Sequence, residues 1–282
     1  MRFKFLPYDL FTDKLLMKDS EKFELNRETW NKKVSVHLES EFYEMSKFTS
    51  GESSLHQYEI EALGNISNKD ILHLQCHFGQ DTLSLARLGA RCTGVDFSEE
   101  GIKVARQLNE TLSLKAQFVC CNVLDTAKFV SEKFDVVFTS YGIIGWLPDL
   151  QPWAAMISEK LKPGGFFYIV EFHPIAWMFD YTVSPPLMKY GYHQKEAIYE
   201  EYQGTYADKN SKMISREYGW NHSLGEVVTA LSEAGLIISY VKEHDASPYD
   251  IFPGLVKNNN GMYELDNKMY PLIFEIKAMK NN

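Results

Sequence analysis

The stretch Asp70–Ser98 reads DILHLQCHFGQDTLSLARLGARCTGVDFS, and the order of its elements decides the fold. It opens on a short apolar run, Ile71 to Leu74, which reads as a strand. A tight segment follows, Gln75-Cys76-His77-Phe78-Gly79-Gln80. A helical pattern then runs from about Gln80 to Leu88, with Gly89 placed at its C-terminal stop. Arg91 to Val95 reads as a second strand, and it leads into Asp96. Strand, turn, helix, strand and acid form the first unit of a nucleotide-binding α/β fold. An acid at the tip of the second strand suits hydrogen bonding to the two hydroxyls of a ribose, so the stretch points to an adenosine-containing ligand.

Downstream the alternation continues. Ser98 is a good N-cap, with Glu99 and Glu100 in the first turn, and Ile102, Ala105 and Leu108 mark the buried face of the next helix. Ala116 to Cys121 reads as a third strand ending at Asn122, and Phe134 to Thr139 as a fourth, apolar on both sides of Asp135. Trp153 to Lys160 reads as a helix. Leu161-Lys162-Pro163-Gly164-Gly165 is expected to stop it as a turn before a fifth strand, Phe166 to Phe172. Such spacing predicts a parallel sheet with right-handed crossovers. The pattern breaks at 173–222, an insertion with ten aromatic residues between Trp177 and Trp220. Ala197–Tyr202 and Met213–Tyr218 could pair there as a hairpin, and the aromatic density suggests a lid, a substrate wall or a subunit interface. From Ser223, Leu224, Val227, Val228 and Leu231 follow helical spacing to Gly235. Leu236 to Val241 reads as a sixth strand, His244 to Asp266 as loop, and Met269 to Met279 as the last strand. No helix separates these two strands, so they are expected to be antiparallel neighbours.

Upstream, residues 1–68 are polar and aromatic. Arg27 to Ser40 can form a helix with Asn26 as N-cap, placing Trp30, Val34, His37 and Leu38 on one face. That face either docks on the main domain or lets Trp30 and His37 cover the ligand. Ser54 to Leu63 could form another short helix. The expected division is an N-terminal helical cover, 1–68, and an α/β domain, 69–282, carrying the insertion 173–222.

The chain has 282 residues and a net charge of −9, which disfavours nucleic acid and anionic membranes as partners. Its four cysteines, Cys76, Cys92, Cys120 and Cys121, match no zinc spacing and read as buried free thiols of a reducing compartment. No metal is expected. Met1–Phe5 carries no continuous apolar run, and no stretch of about 18 apolar residues occurs. These features predict a cytoplasmic protein acting on a small molecule, as monomer or homodimer.

Several motifs together resemble the class I S-adenosylmethionine-dependent methyltransferases, over about residues 70–279. His73-Leu74-Gln75-Cys76-His77-Phe78-Gly79 lies at that family's glycine-rich first motif, with Gly79 as its last glycine and with Gln75 and His77 where glycines are usual. Gly94-Val95-Asp96-Phe97-Ser98 matches the second motif, with Asp96 as the ribose-binding acid. Asn122 stands where an acid often touches the adenine amine, and Leu161–Gly165 is the usual turn before strand five. Cys76–Gly79 and Glu171-Phe172-His173-Pro174 also resemble an uncharacterised bacterial branch of these enzymes. The resemblance implies a Rossmann-like doubly wound α/β sheet of seven strands, ordered 3-2-1-4-5-7-6 with the last strand antiparallel. It implies S-adenosyl-L-methionine as cofactor, S-adenosyl-L-homocysteine as product, and a methyl group moved to an O, N or S acceptor on a small molecule by in-line displacement. The cofactor-binding residues it suggests are Gln75, Cys76, His77, Gly79, Asp96, Phe97, Asn122, Val123 and Ser140.

Elementary chemistry agrees. A dinucleotide needs several glycines for backbone approach to its pyrophosphate, and only Gly79 permits it here. A phosphate-free cofactor makes a weaker demand, and its carboxylate could meet the amides opening the helix at Gln80. In parallel α/β sheets the ligand crevice lies outside the carboxyl ends of the strands, which makes Tyr141, Trp146 and His173 candidates for the acceptor side. Tyr141 and His173 are the catalytic candidates, His173 as a general base or else as a structural residue bonded to the insertion. Trp30, His37, Tyr141, Trp146 and His222 are the candidate substrate contacts. The alternatives are a non-catalytic S-adenosylmethionine-binding protein, a nicotinamide-dependent oxidoreductase and an RNA methyltransferase.

Overall fold

The computed structural model describes residues 17–181 and 183–282; the expectation drawn from Met1–Phe5 lies outside them. Its centre is the strand β1 (Asp70–Leu74), which pairs in parallel with β2 (Arg91–Asp96) on one side and β4 (Phe134–Ser140) on the other. Outside β2 lies β3 (Gln117–Cys120), and outside β4 lies β5 (Leu161–Phe172). Two strands complete the sheet: β9 (Ile273–Lys280), antiparallel beside β5, and β8 (Leu236–His244), antiparallel to β9 at the edge. The order β3-β2-β1-β4-β5-β9-β8 is the one expected. The hairpin of the insertion forms a separate ribbon, β6 (Gln194–Gln203) with β7 (Ile214–Asn221).

Side chains alternate across each strand, so the sheet has two apolar faces and needs helices on both. Leu72, Leu74, Val137, Phe167 and Ile169 pack on one side with Trp153 and Leu231, which come from the helices Leu150–Lys160 and Leu224–Glu233. Ile71, Val136, Phe138 and Val170 pack on the other, against Leu83 and Ile102. Each such fully buried side chain contributes about 1.5–3 kcal/mol.

The α-helices among the described residues are, in chain order, α1 (Asp19–Glu39), α2 (Met45–Ser50), α3 (Gln57–Leu63), α4 (Gln80–Arg87), α5 (Glu99–Thr111), α6 (Thr126–Phe129), α7 (Leu150–Lys160) and α8 (Leu224–Glu233). Ser98 caps α5 by accepting from Gly101 N at 3.0 Å. Gly79 opens α4 with φ +83, and a Cβ there would lie 2.7 Å from the Phe118 ring, so only glycine fits.

Three expectations need correction. Helix α1 begins at Asp19, so Asn26 is not an N-cap but an interior residue, fully buried, bonded through its amide to both main-chain groups of Tyr218 on β7. The buried stripe of α1 is largely polar (Lys22, Asn26, Thr29, Lys33 and His37), which is why apolar periodicity does not reveal the helix's first two turns. Leu161–Gly165 is not a free turn: Leu161 already pairs with Phe134, and the strand bulges before Phe166 pairs with Val136. The last strand starts at Ile273, four residues later than expected from Met269.

Candidate active site

The carboxyl ends of β1, β2, β4 and β5 open into a cavity of about 1040 Å³, roofed by α1, the segment after it, the hairpin β6–β7 and the loop holding Tyr249. No helix among the described residues is long and apolar enough to cross a membrane.

The floor is the loop after β1. Gln75 and His77 have φ of +54 and +51. The backbone thus keeps the left-handed conformation that glycine adopts freely, and each residue adds a side chain to it. Gln75 Nε2 donates to Ile143 O at 3.1 Å, while its Oε1 is buried with no partner among the described residues. His77 Nε2 lies 2.9 Å from His37 Nδ1, and its Nδ1 is likewise buried and unpartnered among the described residues. A buried polar atom without a partner costs about 1–3 kcal/mol, so a polar ligand in this cavity would recover that cost.

Asp96 stands at the tip of β2 and is buried. Its Oδ2 accepts from His77 N and its Oδ1 from Ser98 N, both at 2.8 Å. Burial pushes its pKa up to about 6 against the pull of these amides. Each oxygen keeps a lone pair for a ligand hydroxyl. Cys76, Gly79, Phe97, Asn122, Val123 and Ser140 line the same cavity. Asn122 Oδ1 already accepts from Leu124 N at 3.0 Å.

Two acids that the sequence reading did not assign to the ligand also line the cavity. Asp81, in the first turn of α4, accepts from Ser54 Oγ at 2.6 Å and from Ser140 Oγ at 3.1 Å. Its only sequence signal is its place two residues after Gly79. Glu171, at the end of β5, accepts the amides of Ile143 at 2.7 Å and Ile144 at 3.2 Å, and also that of Gly142, so it shapes the loop after β4. That loop presents Tyr141 (φ +37), whose buried hydroxyl lies beside the Glu59 carboxyl.

On the roof, Lys33 Nζ sits 4.8 Å from the Trp30 ring and 5.6 Å from that of Trp146. It donates to Glu217 Oε2 at 2.5 Å, and Tyr202 OH donates to Glu217 Oε1 at 2.6 Å. Trp30, Trp146, Tyr141 and His222, four of the candidate substrate contacts, line the cavity. His222 is held from behind: its Nε2 donates to Leu147 O at 2.6 Å, and Nδ1 is 3.2 Å from Glu226 Oε2.

Two candidates fall elsewhere. His37 is buried one side chain behind the cavity wall, against His77, Tyr43 and Tyr206, and does not face the cavity. His173 lies outside the wall altogether. Its Nε2 donates to Glu243 Oε1 at 2.8 Å, and its Nδ1 accepts from Ile175 N at 3.3 Å, capping the short 3-10 turn Pro174–Met178. With both nitrogens committed, His173 ties β5 to β8, and the geometry does not support it as a general base.

Comparison with known proteins agrees with this architecture. Residues 71–165 match a family described as Methyltransferase domain. An uncharacterized methyltransferase of Synechocystis is 32% identical over 139 residues, covering 49% of this chain and 61% of the relative. The Ubiquinone biosynthesis O-methyltransferase of Yersinia pestis is 28% identical over 134 residues, covering 47% and 55%. The chain thus spans somewhat over half the length of these curated relatives. An S-adenosylmethionine dependent methyltransferase from Mesorhizobium loti superposes with a TM-score of 0.53 at 17% identity, covering 82% of this chain and all of that one. The glycopeptide N-methyltransferase MtfA, solved with S-adenosyl-L-methionine, gives 0.53 at 15%, covering 79% and 92%. At these identities the solved structures establish the fold.

Proposed function

We propose that this chain, whose residues 71–165 match a family described as Methyltransferase domain, is a class I S-adenosylmethionine-dependent enzyme that transfers a methyl group from S-adenosyl-L-methionine to a small-molecule acceptor enclosed by the aromatic roof. One observation carries the reading: a buried acid, Asp96, faces a cavity whose floor loop also holds two orphaned polar atoms, Gln75 Oε1 and His77 Nδ1.

The residues fit the cofactor. Asp96 would take the ribose hydroxyls, Gln75 Oε1 the ammonium of the amino-acid part, and the second lone pair of Asn122 Oδ1 the adenine amine, with Val123 beside it. Ser140 and Asp81 would border the amino-acid end. When bound, the cofactor supplies a methyl group on a positively charged sulfur, already activated as an electrophile. The task left to the protein is to position and to exclude water. Trp30, Trp146 and Tyr141 would orient the acceptor against the floor. The 1040 Å³ cavity exceeds what one cofactor fills of a typical pocket, leaving space for a second, partly apolar molecule. Because His173 is committed elsewhere, we assign no histidine base at the end of β5; an acceptor that is nucleophilic without deprotonation needs none.

Calorimetry with S-adenosyl-L-homocysteine tests the assignment. Wild-type protein is expected to bind it, and Asp96→Ala to bind at least about tenfold more weakly, the loss of a charge-assisted hydrogen bond. Unchanged affinity in the variant would overturn the ribose assignment, and absence of binding to wild type would overturn the cofactor. A second reading, binding without transfer, draws on the side chains at Gln75 and His77; product formation with a panel of O, N and S acceptors separates the two.

A further inference from the structure

His77 and His37 are a pair whose chemistry the preceding reading leaves unused. His77 belongs to the loop after β1 and lines the cavity; His37 belongs to the last turns of α1 and lies behind it. Their rings meet edge to face with centroids 5.1 Å apart, and Nδ1 of His37 is 2.9 Å from Nε2 of His77. Trp30, Tyr43 and Phe78 pack around His77, and Tyr43 and Tyr206 around His37. This aromatic seat, with the Lys33 ammonium nearby, keeps both imidazoles uncharged: burial holds His37 down to about 3 and His77 well below its ordinary value.

Tautomer arithmetic follows. Two uncharged imidazoles carry two N–H protons between them. One proton lies in the shared bond, so the other sits on one of the two outer nitrogens, His77 Nδ1 or His37 Nε2. The pair therefore always presents one donor and one acceptor at its outer ends, and a concerted exchange of tautomers swaps them. Both outer nitrogens are buried without partners among the described residues. A fixed cation or anion would suit only one tautomer and would bring charge into an aromatic seat. A hydroxyl, which both donates and accepts, suits either. The ring of His77 is also rooted beside Asp96, because its own amide donates to Asp96 Oδ2 at 2.8 Å.

We propose that His37 and His77 form a side-chain clamp for a ribose hydroxyl of the bound cofactor, with His77 Nδ1 making the contact and His37 acting as the positioning residue that holds the His77 ring through the shared proton. The clamp rests on the S-adenosylmethionine reading above. It gives the side chain at a usual glycine position a binding role: Asp96 takes the ribose from the β2 side, and His77 from the floor loop after β1. It also makes α1 part of the cofactor site, through His37.

The test uses full-length protein labelled with 15N-histidine and S-adenosyl-L-homocysteine as the probe. The imidazole nitrogens should report uncharged His37 and His77 rings at pH 7 in the free protein. Saturation should shift the His77 Nδ1 resonance while leaving those of His173 and His222 in place. His77→Gly removes the ring and relieves the positive φ, so the loop keeps its course. It is expected to bind the probe about tenfold more weakly. His37→Phe keeps the aromatic packing and should weaken binding about threefold, with a changed balance of the two His77 tautomers in the complex. If the loop instead works through backbone approach alone, His77→Gly will bind as tightly as wild type or more tightly, which overturns the clamp. Binding by wild type with an unmoved His77 Nδ1 resonance overturns it too, while leaving the cofactor assignment intact. No binding by wild type overturns that assignment itself.

Discussion

Four residues around the cavity, Glu44, Gln75, His77 and Tyr141, hold positive φ without being glycine. Each such residue costs about 1–3 kcal/mol, and such strain collects where a site needs a side chain at a sharp turn. The sequence shows that Gln75 and His77 replace glycines; it does not show that the backbone keeps the glycine conformation, because that is imposed by the pairing of β1 with β2 and by Asp96 accepting from the His77 amide. Near Tyr141 lies a second residue under strain of another kind. Glu59 is buried, its carboxylate accepts the His56 amide at 3.1 Å and lies beside the Tyr141 hydroxyl, and desolvation together with the charge of Asp81 pushes its pKa from 4.5 up to about 8. A carboxyl group raised on folding binds its proton more tightly in the folded state. Its contribution to stability is therefore full below pH 4.5 and is lost as pH rises through about 8. Glu59→Gln keeps the shape and the acceptor for His56 N. Its thermal midpoint should equal that of wild type near pH 4 and exceed it above pH 8, by about 2–4 °C for each kcal/mol recovered. Equal midpoints at both pH values would mean that Glu59 is solvated and not raised.

Among the elements, β1, α4 and β2 were fully legible, since a central parallel strand is apolar on both faces and Gly79, Gly89 and Ser98 mark the ends locally. Helix α1 was half legible. Its buried stripe bonds instead of packing: Asn26 and Thr29 to the main chain of β7, Lys33 to Glu217 and His37 to His77. A polar stripe at helical spacing looks solvent-facing until its partners are known, and those partners lie up to 192 residues away. His173 was illegible for the same reason, because Glu243 and the turn at Pro174 are what fix its role. The consequence for α1 can be measured. Lys33 is almost wholly buried, so Lys33→Met leaves Glu217 as a poorly compensated charge, at a cost of about 3–5 kcal/mol in urea unfolding. Replacing both partners, Lys33→Met with Glu217→Leu, should recover most of that loss. A double variant no more stable than Lys33→Met would show that the pair is not what holds α1 to the hairpin.

At the scale of the molecule, the cavity is closed by segments remote in sequence, each bonded to the next. Gln80 of α4 donates to Tyr43 O after α1 at 2.8 Å, His56 meets Tyr249 OH at 3.0 Å, and Asn31 of α1 accepts from Ser98 Oγ at 2.7 Å beside Asp96. A ligand that settles on the floor loop therefore has α1 and the hairpin as its other wall. Binding stabilises the state that binds, by about 2.7 kcal/mol at a hundredfold excess over Kd, and that free energy must appear in whichever segments the ligand joins. If the N-terminal helices are part of the site, hydrogen exchange with saturating S-adenosyl-L-homocysteine should slow in α1 from residue 26 to 39 and in β7, as well as in the loop 75–81. Amides there open locally at less than the global free energy, so the added protection is measurable. Protection confined to residues 70–98, with α1 and β7 exchanging as in the free protein, would make the helical segment a structural cover over a cofactor site complete without it. It would then also remove the ground on which His37 is placed in that site.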